Sequence, residues 1–265
     1  MEAEHTDNQA DREALSNGVR INKYLSEAGV CSRREADREI AAGHVAIDGK
    51  IAAVGDRVYP GMDVSFCGKT VCPEEEEILL AFHKPAGIVC TADKREKDNI
   101  IDYIHYPKRI YPVGRLDKRS EGLILLTNRG DLVNRILRAG NYHEKEYDVT
   151  VDRDLTDKFL DAMRMGIYLK ELDVTTRSCE VIQTGARTFT IVLTQGLNRQ
   201  IRRMCEACGY RVLRLVRVRV LNILLGDLPA GSWREVTPAE REELERLIRD
   251  SYSAPRTAET VKDDE

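Results

Sequence analysis

Apolar positions divide the chain into a short first block and a longer second one. In the first, Ile21, Tyr24, Leu25 and Ala28 recur at helical spacing until Gly29 interrupts them. Ser32 and Glu35 then make a capping-box pattern ahead of Ala36, Ile40 and Ala41, and Gly43 ends that second helix. The next stretch, HVAIDGKIAAV (44–54), alternates on both sides of Asp48-Gly49, which predicts a hairpin with a type I′ turn. In the second block the pattern predicts strands at Ile78–His83, Gly122–Thr127, Tyr147–Val151, Phe189–Thr194 and Arg211–Val220. It predicts helices at Asp131–Arg138, Asp154–Met163, Asn198–Cys208 and Pro238–Arg249. Strands and helices mix without a regular βαβ rhythm, so an α+β fold is expected rather than a doubly wound parallel sheet. The expected organisation is a tail over 1–18, a helix-helix-β domain over 19–71, an acidic linker over 72–77, a second domain over 78–250 and a tail over 251–265.

Charge changes this picture only when it is located. The 265 residues have a formal net charge of −4, which read alone disfavours a polyanionic partner. Residues 1–17 hold −4 of it and residues 251–265 hold −2, leaving the body at +2. The stretch Arg199–Arg219 has seven arginines (199, 202, 203, 211, 214, 217 and 219) against Glu206, a local +6. Arginine presents a planar fork suited to phosphates and base edges, so this density points to nucleic acid. Simple alternation puts Arg217 and Arg219 on one strand face with residues 211, 213 and 215, and Arg214 on the other. In the first block Arg34 and Arg38 share a helix face, with Arg33 beside it and Lys23 one helix earlier, a grouping suited to phosphate contacts. No apolar run is long enough for a membrane helix. The acidic N-terminus lacks the blocks of a signal peptide, and seven cysteines without an export signal read as reduced thiols, so the cytoplasm is expected.

The most informative constellation is Gly114-Arg115-Leu116-Asp117, followed by Gly122 and an apolar strand. If the segment is extended, Arg115 and Asp117 point the same way, and the arginine can hold the carboxylate ionised and aimed. An aimed carboxylate beside a basic groove suits nucleophilic or general-base chemistry on a nucleotide. A structural Arg–Asp pair at a turn is the simpler alternative. Cys205-x-x-Cys208 falls inside a helix pattern and reads as small buried hydrophobes, so no metal site is expected. Walker A and GxGxxG segments are absent from the sequence, and no cofactor is expected.

The segment GRLDKRSEGLILLTN (114–128) resembles the catalytic-aspartate motif of pseudouridine synthases of the RsuA type. HKPAGIVCT (83–91), HEKEYDV (143–149) and GLNRQIRRMCEACGY (196–210) resemble that family's further motifs in the same order, and the first block resembles an S4 RNA-binding domain. The text Ile136–Asn141 ahead of HEKEY is most similar to the RluF branch, whose members modify large-subunit ribosomal RNA; RluB-like and RsuA-like readings are near neighbours. The resemblance covers about residues 19–245. It implies an S4-like domain followed by a catalytic domain built on a mixed, largely antiparallel sheet. It implies isomerisation of uridine to pseudouridine in RNA, with Asp117, Tyr147 and Arg202 as catalytic residues and Arg202 paired with Asp117. Arg115, Lys84, Ile201, Arg199 and Arg203 are implied as substrate contacts, and Lys23, Arg33, Arg34 and Arg38 as RNA contacts. Asp or Thr is common in the family after the Asp–Lys pair, where this chain has Arg119. The expected partner is ribosomal RNA, with no membrane, and the expected state a monomer. A non-catalytic RNA-binding or ribosome-assembly factor, and a synthase acting on 16S or another structured RNA, are the competing readings.

Overall fold

The computed structural model describes residues 18–73 and 76–251. The expected tails, apart from Gly18 and Ser251, lie outside the described residues, as do Glu74 and Glu75 of the acidic linker. The chain forms two compact units, Met1–Glu77 and Ile78–Glu265.

In the first unit, α1 (Ile21–Glu27) and α2 (Arg33–Ala41) bury Ile21, Leu25, Ala36 and Ile40 against Val45, Val58 and Val64. Strand β1 (Val19–Arg20) pairs with β4 (Arg57–Val58), while β2 (Val45–Ile47), β3 (Lys50–Ile51), β5 (Val64–Phe66) and β6 (Lys69–Thr70) form a four-stranded sheet ordered β3-β2-β5-β6. Asp48 (φ 48°) and Gly49 (φ 75°) both take the left-handed backbone that the type I′ turn requires. Ser32 Oγ accepts the Glu35 N–H at 3.2 Å, but the return bond of the capping box is not made at this helix. The complete box belongs to the last helix, where Thr237 and Glu240 satisfy each other's backbone amides.

The second unit is built on a nine-stranded sheet. Its main path runs β13 (Glu180–Gly185), β14 (Thr188–Leu193), β10 (Lys145–Val151), β15 (Val212–Val220), β9 (Glu121–Thr127), β7 (Leu79–Lys84) and β17 (Trp233–Glu235). Strand β8 (Tyr111–Val113) pairs with β9, and β16 (Ile223–Leu224) with β15; β11 (Tyr168–Leu169) and β12 (Val174–Thr175) make a separate ribbon. Every pairing in the large sheet is antiparallel except β15 with β9, giving the mixed, largely antiparallel architecture. The helices are α3 (Ile100–Ile104), α4 (Gly130–Leu137), α5 (Asp157–Met165), α6 (Gln200–Ala207) and α7 (Pro238–Leu247).

The continuous apolar runs of β7 and β9 are explained by burial on both faces. Leu79, Ala81, Leu123 and Leu125 enter one core cluster, and Leu80, Phe82, Ile124 and Leu126 enter another on the opposite face. Fully burying one such side chain contributes about 1.5–3 kcal/mol. Gly122 makes the parallel join between β9 and β15 possible. Its φ is 107°, and a Cβ there would run into the backbone oxygen and nitrogen of Arg217. This join fixes the loop before β9 relative to the strand that crosses beside it.

Candidate active site

Asp117 sits in the loop between β8 and β9. Leu116 ahead of it is buried, and its N–H donates to Cys90 Sγ at 3.3 Å. Behind it, Ser120 N–H closes a turn on the Asp117 carbonyl at 3.0 Å, and Lys118 C=O accepts the Gly87 N–H at 2.6 Å. The loop is therefore pinned on both sides of the carboxylate. Asp117 opens into a cavity of about 440 Å³ that Arg115, Tyr147, Leu193, Ile201, Arg202 and Leu215 also line. That volume lies within the usual range for small-ligand sites.

Three further elements form the walls. Tyr147 stands on β10, opposite Ile191 of β14 and Arg217 of β15. Helix α6 brings Ile201 and Arg202, 4% and 7% exposed. Arg199 caps that helix in the left-handed region (φ 52°) and lies at the cavity edge. The expected pairing of Arg202 with Asp117 takes a different form here. The Arg202 guanidinium donates to Val212 O (3.2 Å), Arg119 O (3.3 Å) and Ser120 Oγ (3.5 Å), leaving its buried Nε without a partner. Among the described residues, no hydrogen bond or ion pair joins Asp117 to Arg202 or to Arg115. Asp117 and Arg202 interact across space: burial, with Arg199, pushes the guanidinium down from its ordinary value, and Asp117 opposes that.

The arginine stretch is not the single basic stripe that alternation suggests. Register shifts between Glu146 and Tyr147, and between Thr150 and Val151, mark β-bulges where β15 crosses β10. The first puts Arg217 opposite Tyr147 and Arg219 opposite Glu146, so Arg217 and Arg219 occupy opposite faces. Arg219 pairs with Glu146 (2.6 Å) and Glu144 (3.0 Å), Arg214 with Glu121 (2.9 Å), and Arg203 with Glu171. Arg203 accordingly does not line the cavity. Of the seven arginines, Arg199 and Arg211 are exposed without an acidic partner among the described residues.

Lys84 is also displaced from its expected role. It is fully buried, and its Nζ donates to Pro85 O and Ile88 O, both at 2.8 Å. It acts as a buried positive charge near Asp117 and is absent from the cavity lining. Beside Arg115, Arg199 and Arg202, two further cations line the cavity, Lys145 and Arg217, neither of them among the substrate contacts that the resemblance implies. Lys145 was legible, because it lies two residues before Tyr147 on one strand and shares its face. Arg217 keeps the face that alternation gives it, beside Leu215, and the bulge at Val218 turns Arg219 away. The Arg217 Nε donates to Leu123 O at 2.6 Å, while its buried Nη2 has no partner. Gln195, a third lining residue not foreseen, likewise leaves its buried Nε2 unpartnered.

Burial, assisted by Arg217, lowers the Lys145 amine from its ordinary 10.5 to about 8. The folded state therefore penalises the charged amine. The penalty is complete below pH 8, shrinks as the pH rises and vanishes above the unfolded value. Wild-type stability measured against Lys145→Met is expected to rise by about 3 kcal/mol between pH 8 and 10.5. Urea unfolding of the two proteins across that range checks it; a constant difference contradicts it.

In the first unit, Arg33, Arg34 and Arg38 are exposed on α2 and have no ion-pair partner among the described residues. Lys23, on α1, pairs with Glu27 at 3.5 Å. Cys205 lies in the hydrophobic core, and burial pushes its thiol up to about 12.

Comparison with known proteins decides the family. The RNA pseudouridylate synthase profile matches residues 78–207, and the S4 domain profile matches residues 19–64. The chain is 52% identical over 237 residues to the dual-specificity RNA pseudouridine synthase RluF of Escherichia coli (strain K12), covering 89% of this chain and 81% of that one. The chain belongs to the RNA pseudouridylate synthase family. It is an isomerase with an N-terminal S4 RNA-binding domain. The synthase is also 34% identical over 256 residues to ribosomal large subunit pseudouridine synthase B of Haemophilus influenzae, covering 91% of this chain and 71% of that one. A crystal structure of a pseudouridylate synthase matches its fold with a TM-score of 0.63 at 27% identity, over 86% of this chain and 99% of that one. The synthase profile spans β7 to α6, so Leu215 and Arg217 complete the cavity from beyond the matched stretch. Among the described residues, no helix is long and apolar enough to cross a membrane.

Proposed function

We propose that this synthase converts a specific uridine of large-subunit ribosomal RNA to pseudouridine, acting as a cytoplasmic monomer. One observation carries the assignment of roles: Asp117, Tyr147 and Arg202 reach one cavity from three separate elements. The reaction breaks the N1–C1′ bond, turns the base and joins C5 to C1′; C5 gives up its hydrogen and N1 gains one. Isomerisation is redox-neutral and needs no energy input. A base inside a paired stem is out of reach, so the uridine is extruded. Asp117 is the essential carboxylate, and either attack on the sugar or removal of a sugar proton starts from it. Tyr147 lies against the uracil and serves proton transfer. Arg202 stabilises the ionised Asp117 through space, and Arg217 and Lys145 favour anionic character on the detached base. Arg115, exposed at the mouth, fills the space that the base vacates, while Ile201 and Arg199 shape the pocket. The names of the relatives support large-subunit RNA as the substrate. Purified protein incubated with unmodified large-subunit rRNA transcript is expected to produce pseudouridine as uridine falls, without free uracil, by nucleoside mass spectrometry. Release of free uracil instead indicates hydrolysis and overturns the reading.

In this reading the unpaired face of Arg33, Arg34 and Arg38 meets RNA phosphates. Replacing all three with Gln is expected to reduce the slope of log affinity against log salt by about 2–3. The rate at saturating RNA is expected to stay unchanged. Filter binding between 50 and 200 mM salt checks this, and an unaltered slope removes these arginines from the interface.

A further inference from the structure

Adjoining the residues that line the cavity is an aromatic–cation pair, Tyr142 and Arg177, that the reaction leaves unused. Tyr142 has its backbone in the left-handed region (φ 55°), an uncommon conformation for a bulky residue, and is 61% exposed. Arg177 stacks on it, with the guanidinium carbon 4.1 Å from the ring centroid. The two residues meet at one end of two paired strands, where Lys145 of β10 stands opposite Leu193 of β14. Tyr142 follows Leu137 and precedes Lys145, both lining residues. The Arg177 N–H donates to Oε1 of Gln195, itself a lining residue, at 3.4 Å. The stack therefore lies next to the strand ends that carry the lining residues Lys145, Leu193 and Gln195.

We infer that Tyr142 and Arg177 form a binding site for a nucleotide adjoining the target uridine. The inference rests on RNA being the substrate. Extruding one base breaks its stacking with its neighbours and leaves a neighbouring base needing a new partner face. Arg177 covers one face of the tyrosine ring, and the remainder is largely open. A base laid on that open face extends the stack, and the guanidinium contributes positive charge toward the adjoining phosphate. Base-on-aromatic stacking is tolerant of sequence, so the site adds affinity and holds the strand at the mouth without selecting the base.

The test is kinetic, with unmodified large-subunit rRNA transcript tritiated at uridine C5, whose label is released as C5 joins C1′. Tyr142→Ala is expected to raise KM by about 5- to 150-fold, the range for one lost stacked base, with kcat within twofold of wild type. Tyr142→Phe is expected to retain wild-type KM, and Tyr142→Leu to behave like the alanine variant. The high exposure of the side chain keeps folding out of the result, and circular dichroism verifies that. An unchanged KM in Tyr142→Ala, or in Tyr142→Leu, overturns the proposal and leaves the pair a brace between two loops. If the wild type releases no tritium, the substrate assignment fails instead; filter binding of the same transcript then reads the stacking contribution independently.

Discussion

Asp117→Asn is expected to lower the rate of pseudouridine formation by about 10⁴-fold or more, the scale on which removal of a reacting group acts. Asparagine keeps the size and polarity of the side chain but cannot supply a carboxylate. The folded state is expected to tolerate it within about 0.5 kcal/mol, because among the described residues the carboxylate has no hydrogen bond or ion pair to lose. RNA affinity is expected to hold or improve slightly, since a negative charge leaves a cavity lined by Arg115, Arg202, Lys145 and Arg217. These results separate catalysis from the simpler reading of a structural Arg–Asp pair. A structural pair would lose stability on substitution and retain turnover. Single-turnover assays, thermal unfolding and filter binding on the one variant check all three.

Gly122→Ala is expected to be the most damaging single methyl addition at the site. The new Cβ would overlap the backbone of Arg217, which cannot yield without parting β9 from β15. The φ of 107° adds strain of its own for any side chain. A loss of about 4 kcal/mol or more follows, a large share of the usual 5–15 kcal/mol, and a drop in Tm of roughly 8–16 °C in a unit of this size. Gly114→Ala is the informative control. Its φ of 81° is also unfavourable, but the added Cβ meets chiefly the δ carbons of Leu137, the far end of a flexible side chain. Its cost is about 1–2 kcal/mol. Equal melting temperatures for the two variants would contradict the close β9–β15 approach.

The architecture was legible where local chemistry dictated it. Asp48-Gly49 admitted one turn type, and the unbroken GLILLT run required a strand buried on both faces. Strands β13 and β17 were not legible. In β13 only Val181 is buried and Ile182 is half exposed, so an edge strand left no period to read; β17 spans three residues. At the site, Asp117 stood out through its glycine frame. Tyr147 and Arg202 needed the family motifs, because a tyrosine in a strand or an arginine in a basic helix is usually structural. The displacement of Lys84 into the interior, and of Arg219 away from the Tyr147 face, depended on burial and on a β-bulge. Neither has a signature in residue spacing. The +6 segment correctly pointed to nucleic acid, yet most of its charge is neutralised by glutamates or buried around the cavity, and the exposed bases of α2 provide a separate basic face.

The central claim is that Asp117 directs isomerisation of a uridine in large-subunit RNA. Carbodiimide mapping of 23S rRNA tests it most directly, in cells lacking this gene and in the same cells re-expressing the wild type or Asp117→Asn. The account predicts a pseudouridine stop that disappears with the gene, returns with the wild type and stays absent with the variant. A stop restored by Asp117→Asn, or 23S rRNA with no difference between the strains, would contradict it.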